Sequence, residues 1–361
     1  MENNNSPIDL LEKLVSIFSV TGSENAIHLL IEKLLLKNNF NVQKQRIAKD
    51  RWNLFAQRGN GKSAILFLGH MDTIPAGNGW KTNPHVLVKN NGRLYGLGAS
   101  DMKGGIAAFL SAATKTNAYV KILLTVDEEN ISEGAWKAIK IKSFFKDVKL
   151  IISAESNFTL KENDITVGRT GRCVYEVLFK GKEEHIIRYK EGTDAIELLG
   201  KFVNKLYERR SVLFQSSQTI AQVRKIEGES VGMSVCGMAK LEVEVLLGSG
   251  DSIGSVCRVL KQLGASKVNI KKRKTPYLES YYFDSFPYGD LIGKIVKKHI
   301  GNSMKLTTRI SVADDNVLAT LGIPVITWGA IGGNEHTANE FVNEDSLLKL
   351  HNVYLEFLNS I

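Results

Sequence analysis

The chain has 361 residues, 43% hydrophobic and 24% charged, enough to bury a sizeable core and to build two domains. No apolar run approaches the ~20 residues of a membrane span, and the start, MENNNSPIDLLEKLV, has no basic segment leading into an apolar one, so neither a membrane partner nor a secretory leader is expected. Net charge is +9, partly from KVNIKKRKTP at 267–276; without interleaved aromatics this excludes nucleic acid as the expected partner and leaves a solvated lysine-rich surface, or attraction of an acidic substrate or acidic protein.

In chain order, the spacing predicts amphipathic helices over 7–20 and 24–37, with TGSE (Thr21–Glu24) as a capped break between them. Three apolar strands follow, AILFLG before His70, VKILLTV before Asp127 and LIISA before Glu155, with helices over 103–115 and 133–145 among them. Strands apolar on both faces, alternating with helices, argue an α/β domain with a central sheet flanked by helices. The rhythm then changes. A strand over 173–181, a helix over 193–210, strands over 219–228 and 239–248, a helix over 252–264 and a strand over 267–273 give the β-α-β-β-α-β order of a ferredoxin-like domain. After residue 285 the chain returns to a helix, the strand IPVITWGA (323–330) and a final helix. The expected organisation is a catalytic domain over 1–171 and 285–361, with an α+β domain inserted over 172–284. Cys173, Cys236 and Cys257 form no CxxC pair and read as free thiols of a cytoplasmic protein.

The polar residues sit where ligands collect in open α/β sheets, at the carboxyl ends of strands. His70 and Asp72 follow the first apolar strand, Asp127, Glu128 and Glu129 the second, and Glu155 the third. Asp101 lies in YGLGASDMKGG, where a glycine-rich loop enters a helix, and His336 in GAIGGNEHTANE past the late strand. Two histidines and three carboxylates from five loops supply what two adjacent divalent ions need. The i, i+2 spacing lets Asp72 face the His70 ring and orient it, whereas Glu128 and Glu129, as neighbours, diverge so that one binds metal and the other serves as a base. A nucleotide-binding reading of GLGASD fails because the third glycine of G-x-G-x-x-G is absent.

GHMDTIPAGNGW, GLGASDMKGGIAA, TVDEENISEGA, SAESN and GNEHTANE resemble, in order, the five signature segments of the co-catalytic zinc amidohydrolases of metallopeptidase clan MH. That family includes aminoacylase, acetylornithine deacetylase, succinyl-diaminopimelate desuccinylase, glutamate-releasing carboxypeptidases and the lysine/ornithine-releasing hydrolase of the carrier-protein lysine pathway. The resemblance implies that Asp101 bridges two ions, zinc first with cobalt or manganese as alternatives. It gives His70 and Glu155 to one ion, Glu129 and His336 to the other, the general base to Glu128 and the orienting carboxylate to Asp72. It also implies a cis Asp101–Met102 peptide and a water of lowered pKa shared by the ions.

FKGKEEHIIRYKEGTDAI resembles the segment of the inserted lid and dimerisation domain whose histidine reaches the partner subunit's site, which makes His185 an oxyanion-stabilising residue and the protein a homodimer. Ile186 and Ile187 depart from the small residues usual there, and Asp194 stands where Asn is common. The substrate-carboxylate arginine usual on a lid strand is replaced by Leu246, which leaves Arg309 as first choice, then Arg224, with Arg169 and Arg172 behind them. The implied activity is amide hydrolysis of a small N-acyl amino acid, of the deacetylase, desuccinylase or lysine/ornithine-releasing type, with an acidic carrier protein as a further partner. The rivals are a di- or tripeptidase or carboxypeptidase of the same family, and a non-catalytic metal-binding homologue.

Overall fold

A computed structural model describes residues 5–210 and 212–361. Its elements, in chain order, are α1 (Pro7–Val15), α2 (Asn25–Lys37), β1 (Asn41–Ala48), β2 (Arg51–Arg58), β3 (Ala64–His70), β4 (Val88–Asn90), β5 (Arg93–Tyr95), α3 (Gly104–Ala113), β6 (Val120–Thr125), α4 (Glu133–Ala138), α5 (Lys142–Phe145), β7 (Val148–Ser153) and β8 (Asp164–Arg169). There follow β9 (Gly171–Lys180), α6 (Ala195–Glu208), β10 (Ile220–Gly228), β11 (Met238–Leu247), α7 (Ile253–Gln262), β12 (Lys267–Ile270) and β13 (Tyr281–Tyr282). The chain ends with α8 (Gly289–Ile300), β14 (Lys305–Arg309), α9 (Asp314–Ala319), β15 (Val325–Thr327), β16 (Gly332–Gly333), β17 (Phe341–Asn343) and α10 (Glu344–Asn359). The chain divides into two units: residues to Val167, Phe283–Thr308 and Ala313–Ile361 form unit 1, and Gly168–Tyr282 with Arg309–Val312 form unit 2.

The main sheet of unit 1 has the order β1-β2-β6-β3-β7-β15-β8. Its four central strands, β6, β3, β7 and β15, are parallel neighbours, while β2 joins β6 and β8 joins β15 antiparallel. Every residue of β3 and of β6 is buried, as expected of strands covered on both faces. All ten residues of α3 are buried too, and Phe67 of β3 stacks on Phe109 of α3 with centroids 5.3 Å apart. β1 and β2 were not expected: β2 has only the short buried run Leu54–Ala56, and β1 lies at the sheet edge with mostly exposed or half-exposed residues, so burial left little pattern in its sequence.

Three sequence expectations are corrected. The first helix stops at Val15, short of residue 20, and the segment expected as one helix over 133–145 is two, α4 and α5, parted at Ile139–Ile141, where Ile141 (φ −85°, ψ 65°) leaves the helical region. TGSE caps nothing: Glu24 occupies the N-cap position of α2 without a side-chain cap, its carboxylate taking the Gly22 N–H at 3.0 Å and the Arg51 guanidinium.

Unit 2 contains an antiparallel sheet of order β10-β11-β9-β12, with α6 and α7 in the two crossovers, the β-α-β-β-α-β order read from the sequence. Its core joins Tyr175, Phe179 and Val243 of the sheet to Phe202 and Leu206 of α6 and Val256 and Leu260 of α7. Both helices start on side-chain caps, Asp194 accepting from the Ile196 N–H and Ser252 from that of Ser255. Among the described residues no helix is long and apolar enough to cross a membrane.

Candidate metal centre

Because β3, β6, β7 and β15 run parallel, the loops that leave their carboxyl ends share one edge of the sheet. His70 closes β3, and its buried ring has Nε2 3.1 Å from Asp101 Oδ1 and 3.4 Å from Glu155 Oε1. The other oxygen of Asp101 lies 3.4 Å from His336 Nε2, which in turn lies 3.0 Å from Glu129 Oε2. Asp101 thus turns one oxygen to each histidine. Two donor trios result, His70–Asp101–Glu155 and Asp101–Glu129–His336, each with donor atoms within 4.8 Å of one another. A third, His70–Glu128–Glu129, brings Glu128 to the same cluster.

The electrostatics of the cluster fit divalent cations. Burial would lower the His70 imidazolium pKa, yet hydrogen bonds to Asp101 and Glu155 and the charge of Glu128 hold it well above 6.5. Hydrogen bonds to Asp101 and Glu129 raise His336 to about 10. Burial drives Asp101 upward, but the two histidines overcome it and leave the carboxyl below its ordinary range. Burial pushes Glu128 well above the usual carboxylate range, and the charges of Glu155, Asp314 and Glu129 add to it. Two imidazoles held charged among carboxylates show how much positive charge the cluster demands, and imidazole with carboxylate, without thiolate, is a donor set for zinc, cobalt or manganese.

The backbone around these donors is fixed by residues with no obvious signal in the sequence. Glu340, buried just before β17, accepts the N–H groups of Gly98, Ser100 and Asp101 at 2.7, 2.9 and 2.9 Å. Ser100 Oγ donates to Glu335 at 2.6 Å, which ties the Asp101 loop to the loop of His336. The Asp101–Met102 peptide is cis, as the resemblance implied. Arg51, at the start of β2, donates to Glu24 at 2.8 Å and to Asp127 Oδ1 at 3.2 Å.

Two local expectations are corrected. Asp72 was expected to face the His70 ring, but Nδ1 lies 2.9 Å from the Asp72 backbone carbonyl and 3.8 Å from its carboxylate. The carboxylate instead accepts the N–H groups of Glu128 and Glu129, each at 3.2 Å, and the Thr21 hydroxyl at 2.8 Å. The strand ends at His70, so strand alternation no longer sets the direction of residue 72. Glu128 and Glu129 likewise do not diverge: they lie in a turn after Asp127 (φ 73°), and both carboxylates face His70.

The remaining candidates belong to unit 2. His185 is exposed and heads the 3₁₀ turn Ile186–Glu191, its Nδ1 accepting the Ile187 N–H at 3.3 Å. Arg224 is half-exposed, its guanidinium 3.5 Å from Glu244 and 3.9 Å from Glu242. Arg309 is buried, and its carbonyl accepts the Thr170 N–H at 3.0 Å. Arg169 donates to Ser311 Oγ at 2.9 Å, and Arg172 pairs with Glu244 at 2.6 Å.

The model of peptidase family M20/M25/M40 matches residues 66–360. A succinyl-diaminopimelate desuccinylase of Wolbachia pipientis wMel is 26% identical over 98% of this chain and 93% of its own. Among solved structures, the aminopeptidase PepT of Bacillus cereus superposes with a TM-score of 0.78 at 20% identity, covering 99% of this chain and 98% of that one. A dinuclear metal-binding peptidase of Bacillus subtilis superposes with a TM-score of 0.72 at 16% identity, over 98% of each chain.

Proposed function

We propose a function for this chain from one premise: it belongs to peptidase family M20/M25/M40. It is a metal-dependent amide hydrolase, and its proposed substrates are N-acyl amino acids, first among them an N-succinylated diamino acid. The observation that carries the reading is Asp101 with one oxygen toward each histidine, the arrangement of a carboxylate shared by two cations. Support for the succinyl group comes from several curated relatives named succinyl-diaminopimelate desuccinylase, at 24–28% identity.

In this reading His70 and Glu155 complete one cation site, Glu129 and His336 the other, and zinc is the proposed metal, with cobalt or manganese as alternatives. When bound, the cations supply an acidified water and a Lewis acid for the amide carbonyl. Glu128 carries the proton chemistry: its carboxylate accepts a proton from the attacking water and delivers it to the departing amine nitrogen. His185, offered by a partner subunit, is proposed to donate to the developing oxyanion, which makes a homodimer through unit 2 part of the proposal. Arg309 is proposed to receive the substrate carboxylate; Arg224 is second, because Glu242 and Glu244 already face its guanidinium. A cytoplasmic location and an acidic carrier protein as an alternative acyl bearer complete the reading.

The test is a hydrolysis panel of N-succinyl and N-acetyl diamino acids, γ-glutamyl amides, dipeptides and tripeptides, with EDTA-treated protein as control. Preferential release of succinate supports the proposal. Turnover confined to peptides moves the chain to the tripeptidase reading, and no turnover with two ions bound moves it to a binding module.

A further inference from the structure

Having capped nothing, the stretch Val20–Glu24 spends two side chains on tertiary partners, Thr21 on Asp72 and Glu24 on Arg51. The Thr21 N–H donates to the Thr73 carbonyl and the Thr73 N–H to the Ser19 carbonyl, both at 3.0 Å, which stitches this stretch to the chain leaving β3. From there Thr21 Oγ1 reaches Asp72 at 2.8 Å, and Asp72 holds the N–H groups of Glu128 and Glu129. A second route leaves three residues later. Glu24, fully buried, holds Arg51, and Arg51 holds Asp127, itself buried. Asp127 accepts the Glu133 N–H at 3.2 Å through its other oxygen and its carbonyl accepts the Ser132 N–H at 2.8 Å, closing the loop that carries both glutamates. Both routes therefore start in one short stretch; one ends on the N–H groups of Glu128 and Glu129, the other on Asp127 and, through it, on residues 132 and 133.

We infer that Thr21 and Glu24 are positioning residues: through Asp72, and through Arg51 and Asp127, they fix the backbone from which Glu128 handles protons and Glu129 binds its cation. The inference rests on the roles proposed above for those two glutamates. A network that merely anchored α2 would stabilise the whole fold and spare the balance between the two cation sites.

The experiment uses the full-length protein as Thr21→Val, which keeps the shape and loses the hydroxyl, Thr21→Ser, which restores it, and Glu24→Gln. Cobalt(II) titration followed by visible absorption resolves the two equivalents, alongside kcat and KM at saturating cobalt and thermal unfolding of the metal-free protein. Thr21→Val and Glu24→Gln are expected to weaken one cobalt equivalent about tenfold, leave the other within about twofold, and lower kcat about tenfold with KM nearly unchanged. Thr21→Ser is expected to restore both. Two equivalents weakened alike in step with a lower unfolding temperature, or unchanged in both variants along with kcat, overturns the inference. The cobalt readout needs no substrate, so a wild-type protein that hydrolyses nothing refutes the functional reading while this inference is still decided.

Discussion

Asp72 and Glu128 show how far single residues here depend on backbone held by others. Asp72 holds the N–H groups of residues 128 and 129, and its carboxylate also lies 3.8 Å from the ring of His70. Glu128→Gln keeps size and hydrogen bonding but cannot accept a proton as a carboxylate does. The variant is expected to retain two metal equivalents by elemental analysis and to lose kcat by about three orders of magnitude or more. Retained turnover in the metal-replete variant would remove Glu128 from the base role. Glu340→Ala leaves three N–H groups of the Asp101 loop without their acceptor, each a loss of about 1–3 kcal/mol when buried. Its expected signature is weaker binding of both cations, since Asp101 faces both donor trios. The seven residues of unit 1 singled out from the sequence do cluster; His70, Asp72, Glu128, Glu129 and Glu155 were the easiest to place, because a polar residue at the end of a buried parallel strand has little choice of position. Glu340 was invisible because its targets are backbone N–H groups some 240 residues earlier, which no local pattern encodes.

At the scale of elements, the site depends on α3 lying tight against the end of β7. A Cβ on Gly105 would stand 1.9 Å from the Ala154 carbonyl oxygen, and one on Gly329 would stand 1.8 Å from that of Glu155. Both neighbours are backbone and cannot swing away. Gly105→Ala and Gly329→Ala are each expected to cost about 3 kcal/mol by urea unfolding and to weaken metal binding, since the chain pushed aside carries Glu155. Stability within 0.5 kcal/mol of wild type would show that the strand end yields freely. Fully buried strands such as AILFLG and VKILLTV were legible because burial on both faces leaves a continuous apolar run. The edge strand β1 has no such face, and TGSE has the letters of a cap but spends Thr21 and Glu24 on tertiary partners.

Across the whole molecule the charge is unevenly divided. Unit 2 holds 21 basic and 13 acidic side chains, a net of +8, while unit 1 holds 26 and 25, a net of +1. Nearly all of the excess positive charge therefore lies on one unit. The kcat/KM for an N-succinyl substrate, which carries one carboxylate more than its N-acetyl counterpart, is expected to fall more steeply with added salt between ~0.01 and ~0.3 M. Equal slopes for the two would mean that the charge of unit 2 plays no part in substrate capture.

The central claim is that two cations, held about one shared aspartate, make this chain an amide hydrolase. Its most direct test is to strip the protein of metal and titrate zinc back while recording release of succinate from an N-succinylated diamino acid. The account predicts no release from the metal-free protein, and a rise that levels off at two equivalents per chain. Undiminished hydrolysis by the metal-free protein, or none with two equivalents bound on this or any other amide substrate, would contradict it.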